Sequence, residues 1–267
     1  MWRGLYVAAS GMIAETNRTD TIANNLANAD TNGFKKDVAI NKEFEPMYIR
    51  RINDEDPRLD VTSFKRFSLH KRPPRVGTLG LGAAIAEIAT DHEQGALKTT
   101  GNPLDLAIAG NGYFGVQTDQ GVRYTRDGAF FRSTTGELQN MKGQAVLNTQ
   151  GRPITIPADA TSINISPQGE IYADGQRVSQ LMFVDFGPDR RAILKQGDNL
   201  WNPREGANPQ PAEGEIQQGF LEASNTNVVS EMVELVNNYR IYEAGSKAVT
   251  TQDTLLDKAV NEIGRLS

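Results

Sequence analysis

Residues 228 to 263 keep an unbroken spacing of alternate fours and threes: Val228, Met232, Leu235, Tyr239, Tyr242, Ser246, Val249, Asp253, Leu256, Val260 and Ile263. Nine of the eleven are apolar, and that spacing lays them along one stripe of a single helix. No proline follows Pro211, so a helix from Val228 to Leu266 would run about 58 Å. Asn227 is its predicted N-cap, with Ser230 and Glu231 in the first turn. A helix of that length cannot be covered by a compact domain, so it calls for a partner helix.

The other end of the chain supplies one. Trp2, Leu5, Ala9, Met12, Thr16, Thr19, Ala23 and Leu26 form a second heptad stripe, small or polar at its centre and widened by Ile13 and Ile22. It predicts a helix of about 25 residues, about 37 Å long, that stops near Asn28 before the turn pair Asn32-Gly33. Pairing of the two helices within one chain is the simplest outcome. Val229, Val233, Val236, Leu255 and Leu266 nevertheless make a second apolar line beside the first. That width favours burial against more than one partner helix. The stretch IANNLANADTNGFKK, Ile22 to Lys36, crowds four asparagines into nine positions where the first stripe ends. Asparagine amides compete with the helix backbone for hydrogen bonds, which marks this stretch as a helix exit.

Between the stripes the punctuation changes. Of 25 glycines, 20 lie between Gly77 and Gly219, and every proline lies between Pro46 and Pro211. The segment LDLAIAGNGYFGVQTDQGVRYTRDGAFF alternates apolar and polar residues, with turns at Asn111-Gly112, Asp119-Gln120-Gly121 and Asp127-Gly128. The expected fold class is therefore α+β, with terminal helices over 1–34 and 221–267 forming a coiled-coil-like core. A charged connector over 35–79 and an antiparallel β-rich domain over 80–220 complete the division.

Composition narrows the chemistry. The chain of 267 residues carries a net charge of −5 and no cysteine, and it has two histidines, His70 and His92. Disulfides and thiolate metal sites are excluded, and the charge argues against a general nucleic-acid binder. Both histidines read as solvated side chains rather than ligands. No run of eighteen apolar residues predicts membrane insertion, and the interrupted N-terminal stretch predicts no cleaved signal peptide. GNGYFG, Gly110 to Gly115, satisfies a G-x-G-x-x-G pattern, but VQTDQGVRYT after it alternates as a strand. A dinucleotide site needs a helix there. Asp91-His92-Glu93 lacks a second nearby histidine, and no nucleophile elbow occurs. No catalytic, cofactor or metal residues are assigned, and the chain is not expected to be an enzyme. KRFSLHKRPPR, residues 65–75, has five Lys/Arg in eleven and reads as a solvated linker or a contact for an anionic polymer.

Taken together, IANNLANADTNGFKK, the segment from Gly101 to Leu147 and the segment from Gly219 to Leu266 resemble, in order, three regions of the bacterial flagellar axial proteins, the rod and hook family. Chain length sets it apart from the longer hook subunits and the smaller rod subunits. RGLYVAASGM and GFKKDVAINKEF stand closer to the proximal than to the distal rod form. The resemblance implies a structural rod subunit that assembles helically through its terminal helices between motor and hook. Its implied partners are copies of itself, other rod and hook subunits, the flagellar type III export apparatus, and peptidoglycan or bushing rings, with the basic tract as the contact for peptidoglycan. The implied location is the basal body outside the cytoplasmic membrane. Carried onto this sequence, the subunit interface would comprise Leu5, Met12, Asn24, Asn25, Leu26, Asn28, Thr31, Gly33 and Phe34. On the C-terminal side it would comprise Leu221, Glu222, Ser224, Asn225, Val228, Met232, Leu235, Tyr239, Arg240, Tyr242, Glu243, Val249, Leu256, Val260 and Ile263. Arg240 and Glu243 could pair on one helix face, and Gly245 marks a bend or a close helix crossing. The competing reading is a β-rich carbohydrate-binding or adhesin module on a coiled-coil stalk.

Overall fold

The computed structural model describes residues 2–50, 75–187 and 190–263. Helix α1 spans Trp2–Ala27 and helix α2 spans Val228–Lys258, which passes into a π-helical turn at Ala259–Ile263. Asn227 caps α2: its Oδ1 accepts from Ser230 N at 3.1 Å and its carbonyl from Glu231 N at 3.0 Å. The described residues fall into two compact units. One draws on 1–21, 38–89 and 234–267, the other on 22–37 and 90–233.

The first unit pairs the two helices. Their seam is polar. Asn238 Nδ2 donates to the Glu15 carbonyl at 2.7 Å and to Thr19 Oγ1 at 2.6 Å. Gly245 lies where a Cβ would meet Met12 Cγ at 2.8 Å, so this glycine serves a close helix crossing. The inward line of α2 includes Leu235, Asn238, Gly245, Val249, Gln252 and Leu256. The stripe expected from sequence shares Leu235, Ser246, Val249 and Leu256 with the half-buried side of α2, whereas Val228, Met232, Tyr239, Tyr242, Asp253 and Val260 are exposed. Strand Asp37–Glu43 pairs with Ala83–Thr90, and Met47–Arg50 pairs antiparallel with Arg75–Leu79.

The second unit is built on a six-stranded antiparallel sheet. Its order is Ile193–Gly197, Leu200–Pro203, Gly121–Thr125, Tyr113–Thr118, Phe183–Asp185 and Gln210–Pro211. A three-stranded sheet (Ile163–Ile165, Glu170–Ala173, Gln176–Gln180) and short pairs surround it. Leu106, Ile108, Phe114, Val116, Leu138 and Ile171 are fully buried at its centre. Tyr113, Tyr124, Ile193 and Trp201 form a second cluster. The predicted turns fall between strands Leu106–Ala109, Tyr113–Thr118, Gly121–Thr125 and Phe130–Arg132.

Candidate functional site: a buried clasp and an exposed helix face

The asparagine-rich exit of α1 and the stretch leading into α2 meet inside the second unit. Gly33 takes a left-handed φ of 65°, and a Cβ there would strike the Arg126 backbone at 2.5 Å. Glycine alone lets the chain turn so tightly. The Gly33 N–H then donates to the Glu222 carbonyl at 2.7 Å. Strand Phe220–Glu222, paired with Leu97–Thr99, presents Glu222 from the other side.

Three buried charges meet there. Lys35 Nζ donates to Glu222 Oε1 at 2.6 Å and to the Glu93 carbonyl at 2.7 Å. Arg126 Nε donates to Glu222 Oε2 at 3.0 Å, and its Nη2 reaches the Gly110 carbonyl at 2.7 Å. Gly95 N adds a bond to Glu222 Oε1 at 2.9 Å. Burial, with the neighbouring Arg126 charge, lowers the Lys35 pKa below 10.5 despite its carboxylate partner. Every polar atom named here has a partner, as buried ions require.

Two asparagines extend the clasp. Asn225 Oδ1 accepts from Lys36 N at 2.7 Å, and its Nδ2 donates to the Asp91 carbonyl at 2.9 Å. Asn25 bonds both backbone groups of Asp37, each at 2.8 Å, as a strand neighbour would. Lys195 Nζ pairs with Asp37 Oδ2 at 2.8 Å and lies 4.3 Å from the Phe34 ring centroid. Burial lowers its pKa as well.

The residues expected at an interface therefore divide into two sets. Asn25, Gly33, Phe34 and Glu222 are buried, and Asn25, Gly33, Glu222 and Asn225 spend their polar groups within the chain. Asn28 caps the end of α1, its Nδ2 donating to the Asn24 carbonyl at 2.8 Å and its Oδ1 accepting from Thr31 at 3.3 Å. Ser224 Oγ accepts from Thr226 N at 3.1 Å, and Asn24 is exposed. Leu5, Met12, Leu26, Leu221, Leu235, Val249 and Leu256 are half-buried. Val228, Met232, Tyr239, Tyr242 and Val260 stand exposed, and the Ile263 side chain lies outside the described residues. Beside them Val229, Val233 and Val236 continue an apolar face whose members from Val229 to Tyr239 are 50–71% exposed.

Two readings need correction, and that of GNGYFG stands. Glu243 pairs with Lys247 one turn on, at 2.7 Å, and this lowers its pKa; Arg240 is not its partner among the described contacts. His92 is not simply solvated: it is half-buried, 5.2 Å from the Trp201 ring, with Nδ1 at 3.0 Å from the Tyr113 hydroxyl. The glycines of GNGYFG lead into strand Tyr113–Thr118, so no helix N-terminus faces them. His70 and all of the basic tract but Arg75 lie outside the described residues.

Arg126, Lys195 and the loop carbonyls of residues 91–93 were not singled out by sequence. A charged residue inside an alternating strand pattern, YTRDG, was the available signal. Nothing local, however, ties it to a carboxylate 96 positions away.

The clasp is a structural tie whose polar groups are spent within the chain, and the helix that follows it carries an exposed apolar face. Comparison with known proteins makes this specific. Residues 5–35 match the family described as flagella basal body rod protein, residues 107–173 the flagellar hook protein FlgE/F/G D1 domain, and residues 217–262 the flagellar basal body rod FlgEFG protein C-terminal region. The flagellar basal-body rod protein FlgG of Bacillus subtilis (strain 168) is 35% identical over 98% of this chain and 99% of its own. The flagellar basal-body rod protein FlgF of Caulobacter vibrioides is 32% identical over the full length of both. The flagellar hook-basal body complex protein FlhO of Bacillus subtilis is 30% identical, again over both full lengths. The chain belongs to the flagellar basal-body rod protein family, and it is a structural, non-enzymatic subunit of the flagellar rod.

Proposed function

We propose that this subunit assembles helically through its terminal helices, by heterologous contacts that do not close into a ring. Its neighbours are copies of itself and other rod and hook subunits. The type III export apparatus delivers it, and it works outside the cytoplasmic membrane. The observation that supports this reading is the apolar face of α2 at Val229, Met232, Val233, Val236 and Tyr239, left uncovered while a polar seam faces α1. Exposed apolar patches of this kind mark association surfaces, and in a polymer a neighbouring helix would cover this one.

The test replaces Val229, Val233 and Val236 with serine. The expected outcome is a monomer with unchanged thermal midpoint and a critical concentration for polymerisation raised about a thousandfold, since each of the three covered valines contributes about 1.5 kcal/mol. Polymerisation at the original concentration, followed by light scattering and electron microscopy, would exclude the face from assembly.

A further inference from the structure

The second unit holds a groove of about 720 Å³ beside the edge strand Gln210–Pro211 of its six-stranded sheet. Leu181, Met182 and Phe183 line it together with Pro209 and Pro211. Glu213 and Glu215 also line it, both exposed, and none of its lining residues is Lys or Arg. Pro211 has no N–H to offer, so an incoming chain cannot extend the sheet by a regular ladder. An occupant must be held by side chains: apolar or prolyl groups in the groove and cations at the two glutamates.

We propose that the occupant is the basic tract, residues 65–75, of a second copy of this chain. Its sequence, KRFSLHKRPPR, supplies five cations, Phe67, Leu69 and the pair Pro73-Pro74. Two adjacent prolines hold a peptide extended before it binds, so docking orders little that was free. The contact joins chains side by side and is distinct from the helix face. It rests on the proposed assembly only in requiring that copies be neighbours.

The experiment titrates a dye-labelled peptide of residues 65–75 with the full-length chain and reads fluorescence anisotropy. Saturable binding that weakens with added salt is expected. In the chain carrying Glu213→Lys and Glu215→Lys, affinity falls at least about tenfold while the thermal midpoint stays put. Should that double variant fail to fold, Glu213→Gln with Glu215→Gln is measured instead, with weakening again expected. A peptide with Pro73 and Pro74 replaced by glycine keeps its charge and binds several-fold more weakly. Failure to saturate, equal affinity for the charge-altered chain, or equal affinity for a permuted peptide of the same composition would each overturn the proposal. Peptide binding that persists while the serine-substituted helix still polymerises would count against the assembly reading alone.

Discussion

Glu222 sits between two buried cations, and its loss should be felt unequally with theirs. Glu222→Gln leaves Lys35 and Arg126 facing each other without a counter-charge. Breaking a buried pair from one side costs about 3–5 kcal/mol. Lys35→Met leaves Glu222 with Arg126 and the Gly95 N–H, so a smaller loss of about 1–3 kcal/mol is expected. Denaturant unfolding of the two variants measures the difference, and equal losses would remove the charge account. Asp127 supplies a pH prediction. Burial raises its pKa above 3.8, although the Ala129 N–H donated to it at 3.1 Å opposes the shift. The folded chain therefore holds this proton to higher pH than the unfolded chain does. Ionised Asp127 costs stability at neutral pH, and the cost is relieved as pH falls through its raised pKa toward 3.8. Asp127→Asn keeps an acceptor without the charge, so it should stabilise the chain at neutral pH and flatten that acid-side dependence. Unfolding midpoints between about pH 4 and about pH 7 check both; a destabilised neutral form would reverse the assignment.

At the scale of elements, the helix pair is joined by polar groups. Asn238 is buried with its Oδ1 unpartnered by protein, and Glu15 Oε2 in the same unit is likewise unpartnered. A polar residue in a helix seam lowers stability but admits fewer registers than an apolar one. Asn238→Leu should therefore raise the thermal midpoint of the helical circular dichroism signal and degrade the order of the polymer seen by electron microscopy. An unchanged midpoint with an unchanged lattice would deny Asn238 that role. The same seam explains why the sequence stripe and the inward line differ. Apolar spacing locates a face that avoids water, whereas here α1 meets α2 on a neighbouring face of asparagine, glycine and glutamine with three aliphatic residues. Gly245 belongs to that seam because a side chain there would displace Met12. Propensity alone would have scored it only as a weak point in the helix.

For the molecule as a whole, the second unit is discontinuous in sequence, with residues 22–37 folded into 90–233. The tie is made by Gly33, Lys35 and Lys36, whose partners Glu222 and Asn225 lie in the larger part, so it should outlast a cut in the chain between its parts. Cleavage at a protease site engineered between residues 38 and 89 is expected to leave the 22–37 segment bound to the 90–233 fragment. Size-exclusion chromatography with mass spectrometry of the eluted complex measures this. Release of the segment on cleavage would show that the clasp adds little to the unit.

The two long helices, the cap at Asn227, the turn at Gly33 and the run of short strands could all be read from residues alone. Each depends on neighbours within a few positions: a heptad period, a side-chain oxygen at a helix start, a backbone that only glycine tolerates. The excess width of the apolar surface on α2 was legible for the same reason. The clasp was not. Lys35, Arg126 and Glu222 are ordinary charged residues in sequence, and their meaning arises when strand pairing brings Glu222, 187 positions from Lys35 and 96 from Arg126, into one dry space with them. Which face of α2 is buried in the chain and which stays in water likewise depends on where α1 lies, because periodicity defines a stripe but tertiary contact selects the partner.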